Sequence, residues 1–148
     1  MCGIAGLIVK QSDTLQSDLV NMLKELVHRG RDATGLALYE QRDDIQARVS
    51  MTDPAFETNL HAIVEKYGRI ANSNVYRGGG IFYFFEGSID MDPGQISNLH
   101  WDIDSDENLC VHSLGKQIKV YKDQGSAEDL LKSHEIKVGR CTHGIGHV

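Results

Sequence analysis

Residues 3–9, GIAGLIV, form a compact apolar run near the start of the chain. Its length and lack of polar alternation predict a strand buried on both faces. Cys2 stands directly before it. Removal of Met1 would leave a thiol and an α-amine on one residue at the mouth of that strand.

The pattern that follows is mixed. In SDTLQSDLVNMLKELVHRG, residues Leu15, Leu19, Met22, Leu23, Leu26 and Val27 share one helical stripe. Asp13 or Thr14 can cap its start and Gly30 can stop it. TGLALYE returns as a strand, and DIQARVSM is expected to pair with it across the turn QRDD. DPAFETNLHAIVEKYG is a second helix, capped by Asp53, with Pro54 in its first turn and Gly68 at its end. Phe56, Leu60, Ile63, Val64 and Tyr67 face its core. IFYFFEGSIDM is strand-like, NLCVHSLGKQIKVYKD reads as a hairpin around Leu114 and Gly115, and Ser126 and Asp129 have capping-box spacing. The acidic run DIDSDENL reads as a solvated loop without the spacing and central glycine of an EF-hand. These elements predict an α+β fold with mainly antiparallel strands and helices packed outside.

A chain of 148 residues is about the size of one domain. Its net charge of -6 argues against a general nucleic-acid binder, since phosphate contacts need clustered Lys and Arg, and the densest basic pocket is Arg29 and Arg31. No apolar run approaches the length of a membrane span, and the N-terminus does not read as a secretory signal. The three cysteines, Cys2, Cys110 and Cys141, show no framework spacing, which points to a reduced, cytoplasmic protein.

Cys2 is the sharpest chemical feature. A thiol attacks as thiolate, and at an ordinary pKa of about 8.5 it needs a base near neutrality. The α-amine exposed by loss of Met1, with a pKa of about 8, is close to working pH and already attached. Two other readings use other residues. Cys110, His112, Cys141, His143 and His147 could supply zinc ligands, although glycines at 144 and 146 spoil a helical His face. Residues 78–80 could suggest a phosphate loop, but an aromatic strand follows where Lys and Ser or Thr are needed, so a turn or strand entry is expected.

MCGIAG, HRGRDATGLALY and THGIGHV, in that order, resemble class II glutamine amidotransferase domains, which hydrolyse the glutamine side-chain amide with an N-terminal cysteine. The matching residues are Cys2, Gly3, Ile4, Arg29, Gly30, Asp32 and Gly35, with THGIGHV similar to the strand that leads into the family's Arg-x-(Ala/Ser)-Thr motif. The resemblance covers roughly residues 1–40 and 139–148, and the middle looks like a variable insertion. It implies an N-terminal-nucleophile hydrolase fold, a four-layer αββα sandwich with antiparallel sheets, spanning residues 1–148 as one amidotransferase domain or its N-terminal part. Cys2 is then the catalytic residue, with Gly3, Arg29, Gly30 and Asp32 in support. Arg29 either holds the catalytic terminus, through backbone carbonyls or Asp32, or is a surface residue at a helix C-terminus.

The resemblance also implies that the family's substrate arginine would follow Val148, and its oxyanion Asn-Gly pair and amine-binding Asp would come later still. A rival register on Arg140, Thr142, His143 and Gly144 leaves too few residues between Arg and Thr. The implied substrate is L-glutamine, and the implied partner is a synthase unit that consumes ammonia. The segment 108–136 is similar to the amidotransferase polypeptide of archaeal-type glutamate synthases; phosphoribosyl-pyrophosphate and glucosamine-phosphate types are the alternatives. A non-catalytic scaffold fragment with the same fold is the competing reading. No iron–sulfur cysteine run or dinucleotide fingerprint is present, so no cofactor is expected in this chain.

Overall fold

The computed structural model describes residues 2–12, 14–29, 32–136 and 141–148. Among them, eight strands form two four-stranded antiparallel sheets accompanied by four α-helices, the α+β class expected. The chain divides into two compact units, 1–41 with 78–80 and 117–148, and 42–77 with 81–116.

The first unit contains β1 (Ile4–Ser12), α1 (Leu15–Glu25), a 3-10 turn (Val27–Arg29), β2 (Ala33–Glu40), β7 (Ile118–Gln124), α4 (Ala127–Ser133) and β8 (Cys141–His147). Its sheet runs β1-β8-β2-β7. Leu15, Leu19, Val20 and Leu23 of α1 meet Leu36, Leu38, Tyr121 and Leu130 in one core. Two glycines let α1 lie directly on β8. A Cβ at Gly144 would stand 2.9 Å from both Leu15 and Leu38, and one at Gly146 would stand 2.6 Å from Leu23 Cδ1. Ser126 and Asp129 form the anticipated capping box at the head of α4. The Ser126 hydroxyl and backbone N–H hold the Asp129 carboxyl below its usual range.

The second unit contains β3 (Ile45–Met51), α2 (Glu57–Val64), β4 (Gly68–Arg77), β5 (Tyr83–Met91), α3 (Ile96–Asp104) and β6 (Leu109–Gly115). Its sheet runs β4-β5-β3-β6, a β-α-β-β-α-β unit. Ala47, Val49, Met51, Phe85 and Ile89 pack with Leu60 and Val64 of α2 and Leu99 and Ile103 of α3. The alternate residues are Gln46, Arg48 and Ser50 on β3 and Phe84, Glu86 and Ser88 on β5. Arg48, with its side chain 2% exposed, donates to Tyr76 Oη at 2.7 Å and Glu86 Oε2 at 3.0 Å. Its guanidinium also lies 4.9 Å from the Phe84 ring centroid.

Several expectations change. β2 does not pair with β3; it lies between β7 and β8, while β3 lies between β5 and β6. The expected hairpin 108–123 is likewise two consecutive strands in different sheets, with positive-φ Gly115 just before the junction. Both corrections have one cause. β2 and β7 are hydrogen-bonded neighbours, and residues 42–116 are inserted between them. The segment DPAFETNLHAIVEKYG begins as a 3-10 turn capped by Asp53, and Gly68 opens β4 instead of ending the helix. In the acidic run, Asp102, Ile103 and Asp104 belong to α3, and Asp104 accepts a bond from Val111 N.

In α1, Val20 is buried while Met22 is 41% exposed. Thr14 occupies the N-cap position, its hydroxyl donating to Asp18. Asp13 and Gly30 lie outside the described residues. The run 3–9 is buried on one face only: Ala5 packs in the core, while Ile4 is 67% and Ile8 86% exposed on an edge strand.

Replacing Gly146 with Val forces Leu23 and Leu36 away from β8. Urea denaturation is expected to show a loss of about 1–3 kcal/mol; unchanged stability would contradict the close packing of α1 on this strand.

Candidate functional site

Cys2 is exposed at the head of β1. The next residue fixes its place: Gly3 N donates to Val148 O at 2.8 Å and Val148 N donates to Gly3 O at 2.9 Å. Glycine is required there by space. A Cβ on residue 3 would lie 2.9 Å from Leu26 Cβ and 3.2 Å from Val148 Cγ2. The pairing continues through Ile4–His147, Ala5–Gly146 and Gly6–Ile145.

The antiparallel order brings four chain segments to the same end of the sheet. They are the starts of β1 and β2 and the ends of β8 and β7, so Cys2, Asp32, Val148 and Gln124 all stand at that edge. Neighbouring strands are about 4.8 Å apart, which puts the β1 and β2 heads roughly 10 Å from each other. Asp32 is exposed, and its carbonyl accepts from Gly125 N at 3.2 Å. Thr34 Oγ1 donates to the Gly125 carbonyl at 2.8 Å, so the β2 and β7 ends are tied together. Arg29 ends the 3-10 turn after α1. Gly30, Arg31 and Arg140 lie outside the described residues. On the helix side of Val148, a cavity of about 210 Å³ reaches Leu23, Val27 and Ser126, with the Lys24–Glu128 pair (2.8 Å) on its wall.

A group that sequence reasoning missed supports the β7 end. Asp123, fully buried, accepts from Gln124 N at 2.8 Å and Gly79 N at 2.7 Å, and its Oδ2 lies 2.9 Å from His134 Nε2. Residues 78–80 are thus a loop held by a carboxylate, in keeping with the turn expected there. Removing one member of such a buried pair costs about 3–5 kcal/mol, because the other is left uncompensated. Lys119, Tyr121 and Asp123 are the buried alternate residues of β7, but their side-chain types carry no sequence signal for the inward carboxylate, since Ile118 and Val120 lie on the other face.

The zinc reading does not find a geometry. Among the described residues, no three His, Cys, Asp or Glu side chains gather as a metal site. His143 stacks on Tyr39, centroids 3.8 Å apart, and its Nδ1 is 2.9 Å from Thr142 Oγ1. Cys141 is buried, and burial followed by the nearby Glu40 charge pushes its thiol pKa up. Among the described residues, no helix is long and apolar enough to cross a membrane.

No family model matches the chain. It is 27% identical to a protein of Methanothermobacter thermautotrophicus with the provisional name glutamine amidotransferase, over 99% of this chain and 51% of that protein. It is 24% identical to the glutamine amidotransferase-like protein GlxB of Rhizobium meliloti, over 99% of this chain and 49% of the relative. A third likeness, 34% over 77 residues, is to a provisionally named glutamine-hydrolysing asparagine synthetase of Methanocaldococcus jannaschii, covering 46% of this chain and 14% of that one. The chain spans about half the length of the first two relatives. These names support kinship with glutamine amidotransferases.

The three thiols differ enough to be ranked. Iodoacetamide at pH 7.5 is expected to modify the exposed Cys2 and Cys110 at least ten times faster than Cys141, read by peptide mass spectrometry. Comparable rates at all three would mean that β8 does not bury residue 141.

Proposed function

We propose that this chain is the nucleophile-bearing part of a class II glutamine amidotransferase. In this reading Cys2, freed of Met1, attacks the glutamine δ-carboxamide. The α-amine takes the thiol proton and returns it to the leaving nitrogen, so ammonia departs and a γ-glutamyl thioester remains. Water, deprotonated by the same amine, cleaves the thioester, releasing glutamate and restoring the thiol.

One observation carries the assignment: the Gly3–Val148 pair, which sets the head of β1 beside the end of β8. Continued in that register, the residue after Val148 in a longer protein falls across from Cys2. That is where the family's Arg-x-(Ala/Ser)-Thr motif would begin, placing its arginine beside the nucleophile. Asp32 stands at the same end of the sheet as Cys2, and in this reading Arg29, Gly30 and Asp32 support the catalytic terminus.

The ammonia would pass to a synthase partner, and the likeness of 108–136 favours a glutamate synthase type. This chemistry draws on no cofactor held by the chain and suits a reducing cytoplasm. L-Glutamine is the substrate.

Glutamine hydrolysis by a longer protein containing this chain is the direct test. Cys2→Ser is expected to lower kcat by roughly 10³-fold or more while the fold, read by circular dichroism, persists. Full activity in the serine variant would exclude Cys2 as nucleophile.

A further inference from the structure

We infer that His147 is a positioning residue for Cys2, setting the protonation of its thiol from the neighbouring strand. The inference rests on the reading of Cys2 as nucleophile. Ile4 and His147 are direct partners in the β1–β8 register, and Gly3 and Val148 exchange both backbone bonds one position further on. Pairing is therefore unbroken up to the residue that follows Cys2. Side chains alternate across this ladder: Gly3, Ala5, Gly146 and Val148 are buried, whereas Cys2, Ile4 and His147 are exposed. Cys2 and His147 thus project from one face of the sheet in a diagonal relation, with Cβ atoms about 7 Å apart. An imidazole on its Cβ arm spans much of that gap.

The opposite neighbour leaves room for this. On β2, His147 is paired with Gly35. A Cβ at residue 35 would find only the Tyr121 carbonyl at 3.7 Å and Lys122 Cγ at 4.0 Å. The other charged or titratable groups of this face, among the described residues, are Lys122 beyond Gly35, His143 with its stacked Tyr39, and Lys10 towards the far end of β1, with Asp32 at the sheet end.

Histidine is suited to the task because its charge changes near neutrality, at an ordinary pKa of about 6.5. Protonated, its positive charge favours the thiolate over the thiol; the bias therefore fades as the ring loses its proton.

The pH dependence of Cys2 alkylation by iodoacetamide, in chain freed of Met1, reads this directly. At pH 6 the wild type is expected to react about three-fold faster than His147→Gln, with the two rates converging at pH 9. His147→Lys should keep the excess at pH 6 and carry it to pH 8. Cys110 serves as the reference thiol, and continued protection of Cys141 reports the intact fold. Identical profiles for wild type and His147→Gln, or no recovery in His147→Lys, would overturn the inference. Failure of Cys2 to react with diazo-oxo-norleucine in a longer, Met1-free protein containing this chain would instead count against the nucleophile reading, since alkylation by iodoacetamide needs no glutamine site.

Discussion

The two backbone hydrogen bonds between Gly3 and Val148 are the constraint on which the candidate site depends. β1 is an edge strand whose sheet partner is β8, so this pair decides what stands beside Cys2. The pair exists because side chains are missing where packing is closest. Gly3 lets Leu26 approach the strand, and Gly144 and Gly146 let Leu15 and Leu23 settle on β8. The helix and the two strands thus define one another's positions, and a methyl group at any of the three glycines would press on that contact.

The second organising feature is an insertion that leaves the parent sheet intact. Glu40 N donates to Gln117 O at 2.9 Å, and Arg42 N donates to Lys116 O at 3.0 Å. The chain therefore leaves and returns through adjacent residues, and 42–77 with 81–116 builds its own sheet, helices and core in between. Its buried Arg48 meets Glu86, Tyr76 and the Phe84 ring. Asp123 does comparable work in the first unit, satisfying three donors at the β7 end.

What the sequence made legible follows from how local each signal is. The α1 stripe, the Asp53 cap and the Ser126–Asp129 box depend on residues two to four apart, and the structure contains them. The middle, about residues 41–138, looked like an insertion only through the family resemblance, and the second unit has other bounds, 42–77 with 81–116. Strand partners were not legible, because β2 finds β7 more than eighty residues later and a polar turn at 41–44 resembles a hairpin turn whichever sheet it leads to. The open face of β1 was misread for a related reason. Ile4 and Ile8 have the composition of core residues, and composition alone does not say whether a strand lies at an edge. At the candidate site, Cys2 stood out by its type and position and Gly3 and Asp32 through the family resemblance, whereas His147 and Asp123 stand out only from cross-strand register.

The central claim is that Cys2 acts with its own α-amine as base. The most direct measurement compares diazo-oxo-norleucine labelling of a longer protein containing this chain, prepared with Met1 removed and with Met1 retained, by intact and peptide mass. The account predicts one covalent adduct, on Cys2, in the Met1-free form, and none when an amide replaces the amine. Equal labelling of both forms, or labelling of neither, would contradict it.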